Sequence, residues 1–279
     1  MKGCVHGQTI PAEEWLCKNL RGPYSTGMEP GAHIYEIYRE LSDSLRPLAE
    51  EIVREVRDVH TVYDPLQYAA EPWRLYLRRY CTGPRRVLFL GMNPGPWGMA
   101  QTGIPFGEVR AVREWMGIDE EVRQPDTPHP ARPVTGFACT RSEVSGRRLW
   151  DLMAVRYGPA EAFFRDQAVL NFCPLVFMAE SGRNVTPDRL PATFRTALER
   201  RCEEALLQSI LVLRPSQLVG IGRFARDRLC RVRERLRDGA SDEVPAEPVQ
   251  ILHPSPASPA ANRGWAERVT EQLESAGIW

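Results

Sequence analysis

The spacing of hydrophobic positions changes partway along this chain, and the change organises it. Over residues 31–58 the apolar side chains Ile34, Ile37, Tyr38, Leu41, Leu45, Leu48, Ile52 and Val53 recur at helical intervals and predict an amphipathic helix. A second helical stretch covers 66–81, with Trp73, Leu75 and Tyr76. From residue 86 the texture becomes that of buried strands. RVLFLG (86–91), AVLNF (168–172), QLVGI (217–221) and VQIL (249–252) are short continuous apolar runs. Helical spacing fills 107–117, 145–157, 188–213, 224–237 and 259–276. Alternation of strand and helix predicts an α/β fold with a mostly parallel four-stranded sheet covered by helices. Residues 118–142, rich in Pro and Thr, fit no element. The predicted division is an N-terminal extension at 1–60, partly helical with a short stretch at 13–20, and a catalytic domain at 61–279.

Composition narrows the classes. A chain of 279 residues accommodates one large α/β domain. Formal net charge is +0, so no global field draws it to nucleic acid or an anionic membrane, and any DNA affinity must be local. Lys2 and Lys18 are the only lysines; the other basic residues are arginines. Seven scattered cysteines without a C-x-x-C pair argue against a disulfide scaffold, a zinc site or an iron–sulfur cluster, so no metal or cofactor is expected. With no run of about 18 apolar residues and no apolar signal core, the expectation is an intracellular protein. Its compartment would be the bacterial cytoplasm and nucleoid, favoured by the arginine bias, or a eukaryotic nucleus.

Three loops leave the predicted strands with distinctive chemistry, at the strand ends where ligands bind in such sheets. The first, Gly91-Met92-Asn93-Pro94-Gly95-Pro96-Trp97-Gly98-Met99, is too poor in N–H donors for a phosphate cradle and lacks G-K-[ST]. In the second, Asn171 offers a donor and an acceptor side by side, matching the O4 and N3–H edge of uracil and opposing that of cytosine. The third, His253-Pro254-Ser255-Pro256, sets an imidazole where it can donate to a leaving group, and a rigid turn that can place N–H and hydroxyl groups on a phosphate. Phe106 alone reads as core packing, and each strand-end residue alone has a structural reading too: Asn93 a turn, Asn171 a loop bond, His253 a histidine before proline. Their common placement after separate strands is what makes a site.

The motifs GMNPGPWGMAQTGIPFGEV, SEVSGRRLW, NFCPL, SGRN and HPSP followed by NRGW resemble the single-strand-selective monofunctional uracil-DNA glycosylases of the uracil-DNA glycosylase superfamily, over roughly residues 62–279. The resemblance implies a three-layer α/β fold with a short central parallel sheet. It implies that Asn93 places the attacking water, Phe106 stacks on the flipped base, Asn171 reads its edge, and His253 bonds O2 of the departing uracil. Met92, Gly95 and Met99 would line the base pocket, with Ser255, Pro256, Ala257 and Arg263 on DNA. Where the most uracil-restricted relatives carry Tyr, Gly95 leaves space at C5, which implies 5-hydroxymethyluracil and other oxidised uracils as substrates. Ala257 stands where the family carries an Arg wedge, so duplex invasion would be weaker unless Arg263 compensates. The implied protein is a monomer that acts on single- or double-stranded DNA with water as co-substrate. A non-catalytic damaged-base binder, a glycosylase for a deaminated purine such as xanthine, and a nucleotide-binding α/β protein are the alternatives. Seven arginines at 223–237 fit either a solvated helix or a DNA face.

Overall fold

A computed structural model describes residues 27–239 and 244–279. Lys2, Lys18, Cys4, Cys17 and the helical stretch expected at 13–20 lie outside the described residues. The chain runs from helix α1 (Pro30–Glu55) through strand β1 (Thr61–Tyr63) and helices α2 (Pro65–Tyr68) and α3 (Ala70–Tyr80) to β2 (Val87–Gly91). After the turn α4 (Met99–Thr102) come α5 (Val144–Tyr157), α6 (Ala160–Phe164), β3 (Gln167–Asn171), β4 (Val176–Met178) and β5 (Asn184–Val185). The remainder is α7 (Ala192–Leu213), β6 (Gln217–Ile221), α8 (Arg223–Asp238), β7 (Val249–Ile251) and α9 (Trp265–Ser275).

β2, β3, β6 and β7 form the expected parallel sheet, in the order β3-β2-β6-β7. The central strand β2 is buried at every position, as its uninterrupted apolar run requires when helices cover both faces. Gly91 pairs with Asn171 and Ile221 with Ile251, so all these strands finish at one end of the sheet. The chain moves outward in one direction from β2 to β3 and in the other from β6 to β7. This reversal opens a crevice between the loops that follow β2 and β6.

A second sheet, antiparallel and ordered β1-β4-β5, was not legible in the sequence. Its strands hold two or three residues, too few to show a period of two. Two expected helices are also shorter in the structure. Residues 107–117 yield only a short helical stretch at 109–115, π-helical over Ala111–Trp115, and the last helix begins at Trp265, after turns that end in a left-handed Gly264.

Of the stretch 1–60, expected as an extension, the described part holds helix α1. α1 buries Ile34, Ile37, Tyr38, Leu41, Leu45, Leu48 and Ile52 in the core shared with the parallel sheet. Val53, the last of its apolar series, is exposed. The reason for this packing is that β3 is an edge strand, whose outward carbonyls need donors. The Tyr38 hydroxyl donates to the Asn171 carbonyl at 3.0 Å and the Tyr76 hydroxyl to that of Val169 at 3.0 Å. No helix among the described residues is long and apolar enough to cross a membrane.

Candidate active site

The loops after β2 and β3 are tied together beyond the strands themselves. Phe172 N–H donates to the Gly91 carbonyl and Cys173 N–H to that of Met92, each at 2.9 Å. These bonds extend the parallel ladder and set Asn93 beside the β3 loop. The Asn93 amide nitrogen faces the carbonyls of Pro94 and Leu175, both at 3.4 Å. Such long bonds leave its oxygen to accept from elsewhere.

Asn171 is only 3% exposed. Its amide nitrogen donates to the Met99 sulfur at 3.2 Å, a weak acceptor, and its oxygen Oδ1 is buried with no hydrogen-bond partner among the described residues. An unmade bond at a buried polar atom costs about 1–3 kcal/mol, so the site is poised for a ligand that donates to it. The absence of a side chain at Gly91 lets the Asn171 amide and the Phe106 ring meet. A Cβ there would collide with Asn171 Oδ1 and lie 2.6 Å from Phe106 Cε2.

Phe106 is held in a costly conformation. Its φ of 53° lies in the left-handed region that a bulky residue seldom enters, at about 1–3 kcal/mol. Its carbonyl accepts from Trp150 Nε1 at 2.9 Å and from Glu108 N–H at 2.7 Å. Gly146 on α5 allows this approach, because a Cβ there would strike the Phe106 carbonyl oxygen. The half-buried ring points between Asn171 and His253, 6.4 Å from the imidazole centre to centre.

His253 follows β7, and its Nδ1 accepts from Ser255 N–H at 3.1 Å. That bond fixes the neutral tautomer with the proton on Nε2. Burial pushes the imidazole pKa below its usual 6.5, so the ring is uncharged at neutral pH. The turn is bolted to α5: Arg148 donates to the Pro254 carbonyl and to Asn262 Oδ1, each at 2.9 Å, and Asn262 donates to the Pro256 carbonyl at 2.9 Å. Ser255 N–H is thereby committed to His253, and Ser255 Oγ accepts from Ala257 N–H at 3.2 Å, which leaves the hydroxyl proton to face outward. Pro256, Ala257 and Arg263 are exposed at the tip and base of this turn.

The description "Uracil DNA glycosylase superfamily" fits residues 78–274, most of the chain and every loop just described. The chain belongs to the uracil-DNA glycosylase superfamily. It is 49% identical over 220 residues to the single-strand selective monofunctional uracil-DNA glycosylase of Rattus norvegicus, covering 79% of this chain and 77% of that protein. The corresponding Bos taurus protein is 48% identical over 221 residues, 79% of each chain. Wild-type SMUG2 of Pedobacter heparinus shares the fold, with a TM-score of 0.55 at 16% identity over 86% of this chain and 99% of that structure.

Within this superfamily member, sequence reasoning passed over one acidic neighbour of the site. No carboxylate occurs in the loop 92–99, yet Glu143 reaches it from the start of α5. Its two oxygens accept from Ser145 N–H at 3.2 Å and Gly146 N–H at 2.8 Å, capping the helix. A Cβ at Gly95 would lie 3.5 Å from Oε1, and one at Gly98 would lie 3.0 Å from Oε2. Burial pushes the Glu143 pKa up. Its only signal was an acid just before a helix start in SEVSG, which reads as a cap and does not disclose the loop above it.

The arginines of α8 resolve toward structure. All except Arg223 have a carboxylate within 4.0 Å, Arg228 lying almost buried between Glu199 and Glu203 of α7.

Proposed function

We propose that this chain is a monofunctional DNA glycosylase that flips uracil, and uracils oxidised at C5 such as 5-hydroxymethyluracil, out of DNA and hydrolyses the N-glycosidic bond. An abasic site results, as base excision repair requires. The observation that carries the reading is the unpartnered Asn171 Oδ1, buried beside Phe106 and across from the Nε2–H of His253.

A uracil lying on the Phe106 ring gives its N3–H to Asn171 Oδ1 and takes the amide N–H at O4, replacing the weak bond to the Met99 sulfur. Cytosine presents the reverse pattern and leaves both buried groups opposed. His253 Nε2–H donates to O2, where negative charge builds as the bond to C1′ breaks. Asn93 Oδ1 accepts from the water that adds to the cationic sugar carbon. The water's other proton passes to solvent once the new C–O bond has formed. Space at Gly95, bordered by Glu143, receives a polar C5 substituent, and an acid there gives a hydroxymethyl group an acceptor that a methyl cannot use. The outward Ser255 hydroxyl, Pro256, Ala257 and Arg263 face the DNA strand.

Single-turnover excision on oligonucleotides carrying uracil, 5-hydroxymethyluracil, thymine or xanthine, in single and double strands, tests the reading. Release of uracil and 5-hydroxymethyluracil with thymine retained supports it. Binding without release identifies a non-catalytic damaged-base binder, and preferential loss of xanthine identifies a purine enzyme.

A further inference from the structure

Trp97 sits at the crown of the pocket loop, two residues beyond Gly95, and is flanked by two arginines from the segment that the sequence left unassigned. The Arg132 guanidinium lies 5.1 Å and that of Arg141 4.9 Å from the centre of the indole ring. Cation–π contact holds both charges in place while leaving guanidinium N–H groups to bind oxygen. Gln101 fastens the same segment to the loop: its amide nitrogen donates to Pro96 O at 3.0 Å and to Pro133 O at 3.1 Å, and its oxygen accepts from Thr135 N–H at 2.9 Å.

What sets these two cations apart is their place against the pocket loop, together with the lack of an acidic partner there. All the arginines of α8 except Arg223 have a carboxylate, on α7, on α8 itself or at Glu247, and Arg110 and Arg113 pair with Asp151 and Asp119. Neither Arg132 nor Arg141 has a carboxylate partner among the described residues. Arg141 is exposed and lines a groove of about 470 Å³ together with Thr140, Ser142, the exposed Arg147 and the acids Glu108 and Glu114. On a molecule of zero net charge, uncompensated cations beside the pocket are a local field of the sign that a phosphate chain seeks. Two residues of chain span at most about 7 Å, so the cluster lies within a nucleotide or two of a base seated at Gly95.

We infer that Arg132, Trp97 and Arg141 form a clamp for the DNA phosphates that flank the flipped nucleotide, on the side of the pocket away from the His253 turn. The inference rests on the reading of this chain as a DNA glycosylase. Trp97 acts as the splint that keeps the two guanidinium groups forward, and Arg147 continues the track along the groove.

Binding of an undamaged single-stranded oligonucleotide, followed by fluorescence anisotropy through a salt series, tests the clamp on the full-length chain. A phosphate contact contributes about 0.7 to the slope of log affinity against log salt on single strands. Arg141→Ala is expected to reduce the slope by about that amount, and Trp97→Leu, which frees both arginines, by up to about twice as much. On a uracil oligonucleotide, the enzyme concentration giving half-maximal single-turnover rate should rise with the loss of affinity. Arg78→Ala, an exposed arginine on α3, should leave the slope as it is. A folded Arg141→Ala with the wild-type slope overturns the clamp, as does an equal change in Arg78→Ala. A fall in maximal rate at constant slope in Trp97→Leu also overturns it, because Trp97 would then only shape the loop. Wild-type protein that shows the salt effect and is inert on uracil defeats the glycosylase reading and leaves the DNA-binding surface standing.

Discussion

At the scale of single residues, the site works by leaving a few groups unsatisfied and fixing everything around them. Asn171 Oδ1 lacks a donor, Phe106 is held at a left-handed φ, and His253 is kept neutral by burial and in one tautomer by a backbone N–H. The imidazole sets the pH dependence. Its folded pKa is lowered by burial, so the unfolded chain takes up this proton first, near 6.5, and stability falls as pH drops from there toward the folded value. Excision by the neutral Nε2–H donor should therefore stay level from pH 8 down through 6.5 and decline only below it, where protonated Nδ1 would confront Ser255 N–H. A rate that climbs as pH falls through this range would instead identify imidazolium as the donor. Glu143 makes a second prediction. Glu143→Gln sets an N–H₂ against one of two capping N–H groups and should cost about 1 kcal/mol in stability, readable as a lower Tm. A purely structural loss would slow excision of uracil and 5-hydroxymethyluracil alike. Contact with the C5 group should lower the ratio of 5-hydroxymethyluracil to uracil excision by several-fold, measured in one competition assay. The chemistry-bearing residues were legible because each stood directly after an apolar strand; Glu143 and Gly146 were not, because their partners are forty or more residues distant in sequence.

Elements bring these residues together by satisfying one another's backbone. The parallel strands were legible as continuous apolar runs, and their common end placed Asn93, Asn171 and His253 before any side chain was located. Helix α1 was legible as a helix, from its apolar spacing, but its place was not: periodicity tells which face is buried and is silent about what covers it. What calls it in is the bare edge of β3, where Tyr38 serves the carbonyl of Asn171 itself. Tyr38→Phe leaves that buried carbonyl without a donor and should cost about 1–3 kcal/mol. Tyr76→Phe does the same to Val169, two positions further from the pocket, and should cost a similar amount. The two differ in what they do to Asn171. Tyr38→Phe should slow single-turnover excision as well as lower Tm, whereas Tyr76→Phe should lower Tm alone. Equal effects on rate would mean that β3 acts as a rigid unit and that α1 contributes only stability.

For the whole molecule, the distribution of charge constrains both binding and chemistry. Net charge is zero, and α8, the most arginine-dense described helix, has a carboxylate beside all its arginines but Arg223, so attraction to DNA falls to arginines elsewhere, among them those beside the pocket. Chemistry is constrained by the missing amine. Cutting the strand after base removal through a Schiff base requires a lysine or similar nucleophile at the sugar, and no lysine occurs from residue 19 onward. On the proposed reading the nucleophile is a water held at Asn93, and the reaction stops at the abasic site. Borohydride added during turnover on a uracil oligonucleotide should trap no covalent protein–DNA adduct, while alkali added afterwards cleaves the product strand. An adduct in the wild type that vanishes in Lys2→Ala or Lys18→Ala would place an amine from the first residues at the sugar. The enzyme would then be bifunctional, with its second activity supplied by the one part of the sequence that carries lysine.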